Sequence, residues 1–234
     1  MNAVSLVQVK RSMRIDFLRL SATGKSSVWV IVLMPLLFVV MGMLGGDEMT
    51  TFGFAGSAVG VCGMFASMLP MIVASNEEMS GNSSMNGIIP ATRLNQVLAR
   101  YAFMIVVDIL AALEAMVCLV LLLHFDEPPV TSLIGIGLSV LSAALFVGSL
   151  LMPLFYRFPA TQAIGWGFGL LGLLCLVGFG LYRFVPQSAF LASKTSSLFT
   201  THMGLILGIV AIVAVLICLC SFLISNRIYA NKEL

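Results

Sequence analysis

Residues 76–101, NEEMSGNSSMNGIIPATRLNQVLARY, form the longest polar stretch of a chain that is otherwise mostly apolar. Of 234 residues 60% are hydrophobic and 9% charged. The mean hydropathy is +1.09, whereas an ordinary soluble domain carries roughly 25% charged residues. Such a chain is an integral membrane protein, and the stretch is what it keeps in water between two apolar runs. A formal charge of +2 argues against a nucleic-acid partner, so the placement of charge carries the information rather than its sum.

Outward from that stretch, five uncharged windows are long enough to cross roughly 30 Å of hydrocarbon as helix. They run Ser26–Gly46, Met49–Asn76, Val130–Tyr156, Phe158–Tyr182 and Met203–Asn226. A sixth, Tyr101–Leu123, is interrupted by Asp108 and Glu114 and stands third in order. The expected fold is therefore an all-α membrane protein with six transmembrane helices. Lysines and arginines mark the cytoplasmic flanks of membrane helices. Lys10, Arg11, Arg14, Arg19, Lys25, Arg93, Arg100, Arg157, Arg227 and Lys232 fall on one side and only Arg183 and Lys194 on the other, ten against two. Both termini and the opening stretch are thus expected in the cytoplasm, and the segment 183–202 outside, long enough for a short external helix. Residues 1–25 lack the apolar core of a cleavable signal peptide. Within them SLVQVKRSMRIDFLRL puts Leu6, Val9, Met13, Phe17 and Leu20 on one face, away from Lys10, Arg11 and Arg14. That pattern predicts an amphipathic helix along the inner membrane surface, or a basic flank that only enforces topology.

Small residues at Gly53, Gly56, Gly60, Gly63 and Ser67 line one face of the second span, and Gly165, Gly169 and Gly172 repeat the spacing in the fifth. Both stripes predict close helix packing. Pro35 and Pro70 mark expected kinks. The five cysteines lie inside apolar runs without metal-ligand spacing, and the two histidines, His124 and His202, are far apart; no metal or other cofactor site is expected. ATGKSSV resembles the end of a phosphate-binding loop, but Arg19 occupies the place of the required first glycine, so the chain is expected neither to bind ATP nor to act as an enzyme. No nucleophile with a base in reach is legible.

The second half of the opening stretch, IIPATRLNQVLARY, resembles the cytoplasmic motif of bacterial type-2 ATP-binding-cassette permeases through Ile89, Pro90, Thr92, Arg93, Ala99, Arg100 and Tyr101. MRIDFLRL is similar to that family's amino-terminal basic-Asp-apolar segment, LMPLFYRFPATQAIG to its junction of fourth and fifth helices, and ISNRIYANKEL to its carboxyl end. Ile89 and Pro159 depart from the usual leucine and glycine. The resemblance implies an interfacial helix over 1–25 and a six-span permease domain over 26–234. It makes segment 76–100 a coupling helix that docks on a separate nucleotide-binding ATPase subunit, where ATP and Mg would bind. It also implies a bacterial plasma-membrane location, a second permease copy or a related permease as dimer partner, contact with membrane lipid, and outward movement of a peptide, drug or lipid-like cargo. A non-transporting immunity or sensor protein on the same fold is the alternative.

Three residues stand out for the ATPase contact: Glu77 and Glu78, where the second span leaves the membrane, and Arg93. A positive charge in the first turn of a helix opposes the dipole by about 0.3–1 kcal/mol, so Arg93 suggests recruitment by an acidic partner, unless it only sets topology. Asp108 and Glu114 lie near the middle of the third span, where an acid costs about 2.5–3.5 kcal/mol on insertion. Six residues apart, they stand about 9 Å apart along the axis and about 120° around it, so they form no single carboxylate pair. Each fits either a translocation path or a hydrogen-bonded packing role.

Overall fold

The computed structural model describes residues 5–22, 25–45, 48–79, 91–122, 130–159, 161–169, 172–173, 176 and 193–231. Among the described residues the regular structure is helical. The helices are α1 (Leu6–Ala22), α2 (Lys25–Leu44), α3 (Glu48–Met79), α4 (Arg93–Leu122), α5 (Val130–Arg157) and α6 (Ser193–Ala230), with a further helical stretch over 161–169.

Each helix follows from an apolar run and from what ends it. α4 starts eight residues before the uncharged window because Thr92 caps it. The amide of Asn95 donates to Thr92 Oγ1 at 3.4 Å and that of Gln96 to the Thr92 carbonyl at 3.0 Å, which meets amides that have no partner inside the helix. The expected outer segment 183–202 divides: residues 193–202 form the first turns of α6 and are continuous with the last span, while 183–192 lie outside the described residues. The middle of the expected coupling helix, 80–90, lies outside them as well.

Four helices among the described residues are long and apolar enough to cross a membrane, over Gly53–Glu77, Arg93–Leu122, Leu133–Arg157 and Gly204–Ala230. The described apolar part of α2, Val32–Leu44, is shorter, and only 158–159, 161–169 and three later positions of the fifth window are described. Pro35, Pro70 and the unremarked Pro153 all lie inside helices.

α4 sits at the centre and touches each of the other five named helices. On one side Phe103, Val107, Ala111, Ala112 and Ala115 pack with Cys62, Ala66 and Val73 of α3 and Val140 and Ala144 of α5. On the other, Val97, Tyr101 and Met104 pack with Met152 and Tyr156 of α5 and Ala214, Cys218 and Tyr229 of α6. Lipid is as apolar as leucine, so burial alone does not drive helices together in a membrane; close approach through small residues does. The alanines of α4 supply that approach.

The glycine stripe of α3 does not pack as expected. Among the described residues a Cβ on Gly53, Gly56 or Gly60 would meet nothing within 4 Å, and one on Gly63 only Val140 at 3.9 Å. Gly165, Gly169 and Gly172 are equally open. Close packing falls instead on Gly42, where a Cβ would come within 2.6 Å of Leu122 and 3.1 Å of Phe54, and on Gly148 and Gly167, which face Met104 and Leu151 at 2.7 Å. Spacing identifies one face of a helix but not which neighbour covers it. Much of α6 points outward through Leu205, Ile209, Ile212, Leu216, Leu219 and Leu223, the face a bilayer would cover.

Candidate functional site

Sequence-predicted positions meet at the end of the bundle that holds Glu77, Arg93, Arg100 and Arg157, here called the basic end. α1 lies along the first half of α4 and is tied to it at three levels. At the first, Gln8 Oε1 accepts from Asn95 Nδ2 at 2.6 Å and from the Thr92 amide at 3.3 Å, while the Ser5 amide donates to Asn95 Oδ1 at 3.4 Å. At the third, the ring of Phe17 meets Phe103 edge to face with centroids 4.9 Å apart, a geometry worth about 0.5–1.5 kcal/mol beyond burial.

Between them is a cluster of four charges. Glu77 Oε2 accepts from Arg100 Nη2 at 2.5 Å and from Arg19 Nη1 at 3.1 Å. Asp16 Oδ1 lies 3.4 Å from the same Arg19 nitrogen and 3.5 Å from the same Arg100 nitrogen. Asp16 is 4% exposed and Glu77 6%. Burial pushes the Asp16 carboxyl above the usual carboxylate range, against the pull of Arg100 and Arg19. Two acids and two arginines sum to zero, which is how such charges leave water together; removing one partner from a buried pair costs about 3–5 kcal/mol. The cluster joins α1 (Asp16, Arg19), the end of α3 (Glu77) and the start of α4 (Arg100).

An aromatic and hydroxyl group extends it toward α5 and α6. Arg100 stands 5.9 Å from the Tyr156 ring, and Tyr156 lies 5.3 Å from Tyr229. Tyr101 Oη is 2.6 Å from Ser221 Oγ and 2.9 Å from Ser225 Oγ, and Tyr229 Oη donates to Gln96 Oε1 at 2.7 Å. The four motif fragments of the sequence, from α1, the start of α4, the end of α5 and the end of α6, therefore meet in one place. Read separately they are scattered over some two hundred residues.

Arg93 is accommodated within the chain. Its Nη1 donates to the carbonyls of Tyr229 at 3.2 Å and Ala230 at 2.8 Å, with the guanidinium 6.0 Å from the Tyr229 ring. The last carbonyls of a helix lack intrahelical partners and favour positive charge. Arg93 is thus unfavourable to its own helix and favourable to the end of α6, so the misfit by itself no longer calls for an acidic partner. Glu77 spends its carboxylate on Arg19 and Arg100. Glu78 is helical, and its side chain lies outside the described residues.

Asp108 and Glu114 are not brought together with these residues or with each other. Asp108 is fully buried at 0% exposure, and neither of its oxygens has a hydrogen-bond partner among the described residues. Glu114 Oε1 is likewise without one. Asp108 lies near Cys218 of α6, whereas Glu114 lies near Cys62 and Cys118, so each has its own surroundings. Neither lines either of two cavities found near the basic end among the described residues. One, of about 330 Å³, lies between α3 and 161–169 and is formed by Met68, Met71, Ile72, Ile164 and Phe168, with Ser75 and Asn76 at one end. The other, of about 470 Å³, is bounded by Thr92, Arg93, Leu94, Asn226 and Ala230. Among the described residues no group of three or more His, Cys, Asp or Glu side chains could hold a metal ion.

Sequence reasoning missed the cluster because it read Arg19 and Arg100 as topology signals and motif positions, not as partners of Asp16 and Glu77. The available clue was Asp16, an acid on the inward-turning side of an amphipathic helix. A family model described as ABC-2 family transporter protein matches residues 18–230. No curated protein matches the chain.

Proposed function

The chain belongs to the ABC-2 family of transporter proteins, and from that premise we propose that it is the permease subunit of an ATP-driven exporter in a bacterial plasma membrane. In this reading six helices cross the membrane, the basic end and both termini face the cytoplasm, and a second copy or a related permease completes the translocation path. ATP and Mg are bound by a separate ATPase subunit, which docks on the coupling segment 76–100.

The observation that carries the proposal is the convergence of α1, α3, α4, α5 and α6 at the two ends of that segment. It leaves α3 just after Glu77 and enters α4 at Arg93, and both flanks are bonded to other helices. A displacement of the segment pulls at once on Glu77, hence on α1 and Arg100, and on Arg93, hence on the end of α6. Buried networks of this kind move as units because breaking them is costly. Glu78 and the residues after it would meet the ATPase, with Glu77 and Arg93 transmitting the contact from behind.

For cargo, the groove between α3 and 161–169 is apolar with an amide and a hydroxyl at one end, which fits an amphipathic molecule such as a peptide, drug or lipid. Asp108 and Glu114 would meet the path only as the helices rearrange or a second copy docks, since Asp108 is sealed within the single chain. The test is co-reconstitution with the ATPase into liposomes. ATP-dependent movement of cargo supports the exporter. Binding of the ATPase, or of a peptide, without any ATP-driven movement supports the sensor or immunity role instead.

A further inference from the structure

The ties between α1 and α4 fix the roll of α1, and with it the identity of the face left outside. Asn95, Arg100 and Phe103 hold Gln8, Asp16 and Phe17, while Met13 and Leu20 pack against the core. Lys10, Arg11 and Arg14 are exposed, and between them stand Val7 at 61% and Leu18 at 58% exposure. At 100° per residue Val7, Arg11, Arg14 and Leu18 fall within about 60° of one another around the axis. The only acid in the helix, Asp16, is turned inward and buried. The outward face thus carries three cations, no anion and two bare apolar side chains.

That combination does not suit plain water, where Val7 and Leu18 gain nothing, nor the hydrocarbon, where three cations are costly. It suits the headgroup layer, in which apolar side chains reach acyl carbon while ammonium and guanidinium groups meet phosphate. The depth agrees. α1 is bonded to Glu77 and Arg100, where the charge-free part of α3 ends and that of α4 begins. Trp29, exposed in the second turn of α2, is of the type enriched at membrane interfaces.

We propose that the outward face of α1 is a docking surface for anionic phospholipid headgroups in the leaflet at the basic end, and that the lipid it holds steadies the Asp16–Arg19–Glu77–Arg100 cluster from outside. The docking part does not depend on what the protein transports. The inward and outward sides of one short helix connect the two events: lipid on Lys10, Arg11 and Arg14 presses α1 toward α4, and Asp16 closes on Arg100.

The experiment uses the full-length chain in nanodiscs of phosphatidylcholine with and without phosphatidylglycerol. Retained lipid is counted by native mass spectrometry, and thermal unfolding is followed in the same discs. One cation beside an anionic surface is worth a factor of about five in binding. The wild type is expected to retain phosphatidylglycerol over phosphatidylcholine at least about tenfold, and to lose the preference as salt is raised. The triple variant Lys10→Gln, Arg11→Gln, Arg14→Gln should lose most of it while unfolding like the wild type in phosphatidylcholine. Asp16→Asn should keep the lipid but lose the rise in unfolding temperature that phosphatidylglycerol gives the wild type. Equal retention of both lipids by the wild type, or an unchanged preference in the triple variant, overturns the docking surface. If the triple variant instead keeps its lipid and loses the ATPase subunit on co-purification, the face binds an acidic protein surface and the proposal fails. A phosphatidylglycerol effect on unfolding that survives in Asp16→Asn overturns the link to the cluster.

Discussion

Two acidic sites on or against α4 are treated in opposite ways. At Arg100 the carboxylates of Asp16 and Glu77 share two arginines within 3.5 Å. Eight residues later, about 12 Å along the axis, Asp108 is fully buried with neither oxygen hydrogen-bonded among the described residues. The first site is complete within one chain and reads as a mechanical joint. The second has no partner among the described residues, and one that arrives with a second permease, with cargo or with a change of conformation would complete it.

The largest expected effect comes from breaking the complete site. Arg100→Gln leaves Asp16 and Glu77 to share Arg19 alone, with one buried carboxylate uncompensated, and should lower stability by about 3–5 kcal/mol, read as a drop in unfolding temperature in detergent or nanodiscs. Restoration of much of that loss when Glu77→Gln and Asp16→Asn are added would sharpen the contrast; no loss would erase it. Next is Gly42→Ala, whose new methyl meets Leu122 and the Cβ of Phe54 and should cost about 1–3 kcal/mol. Gly56→Ala, facing open space among the described residues, should leave the stability of the single chain unchanged or slightly raised. Arg93→Gln should cost about 1 kcal/mol or less and show as faster amide exchange over the last turn of α6. Smallest in stability, and opposite in kind, is Asp108→Asn. It exchanges a buried carboxyl for an amide of the same size and should leave unfolding close to wild type while lowering transport. If it is instead as destabilising as Arg100→Gln, the two sites are not different and Asp108 is packed like the rest.

The sequence made the helical class and the apolar windows legible, because charge-free length is a local signal. It did not reveal which faces meet. The α3 glycines share one face by spacing, yet the close contacts formed at Gly42, Gly148 and Gly167, since helix contact depends on the rotation of two helices and the sequence of each reports only its own. The site was legible as fragments. Asp16, Arg100, Tyr101, Tyr156 and Tyr229 all lie in motifs that resemble one family, but only the fold shows that these motifs touch. Arg93 was correctly singled out as a misfit with its own dipole; its answer, the end of α6, lies 136 residues away in the chain and could not be read from spacing.

The central claim is that Glu77 and Arg100 act as one joint between the coupling segment and the membrane helices. A double-mutant cycle of Glu77→Gln and Arg100→Gln in the complex with its ATPase, reading ATP-driven transport in liposomes at equal protein levels, tests it most directly. The account predicts that each single change lowers transport about tenfold or more while the ATPase still co-purifies. The double variant should be no worse than the poorer single, with a coupling of at least about 1 kcal/mol. Strictly additive losses, or transport that survives either single change, would contradict it.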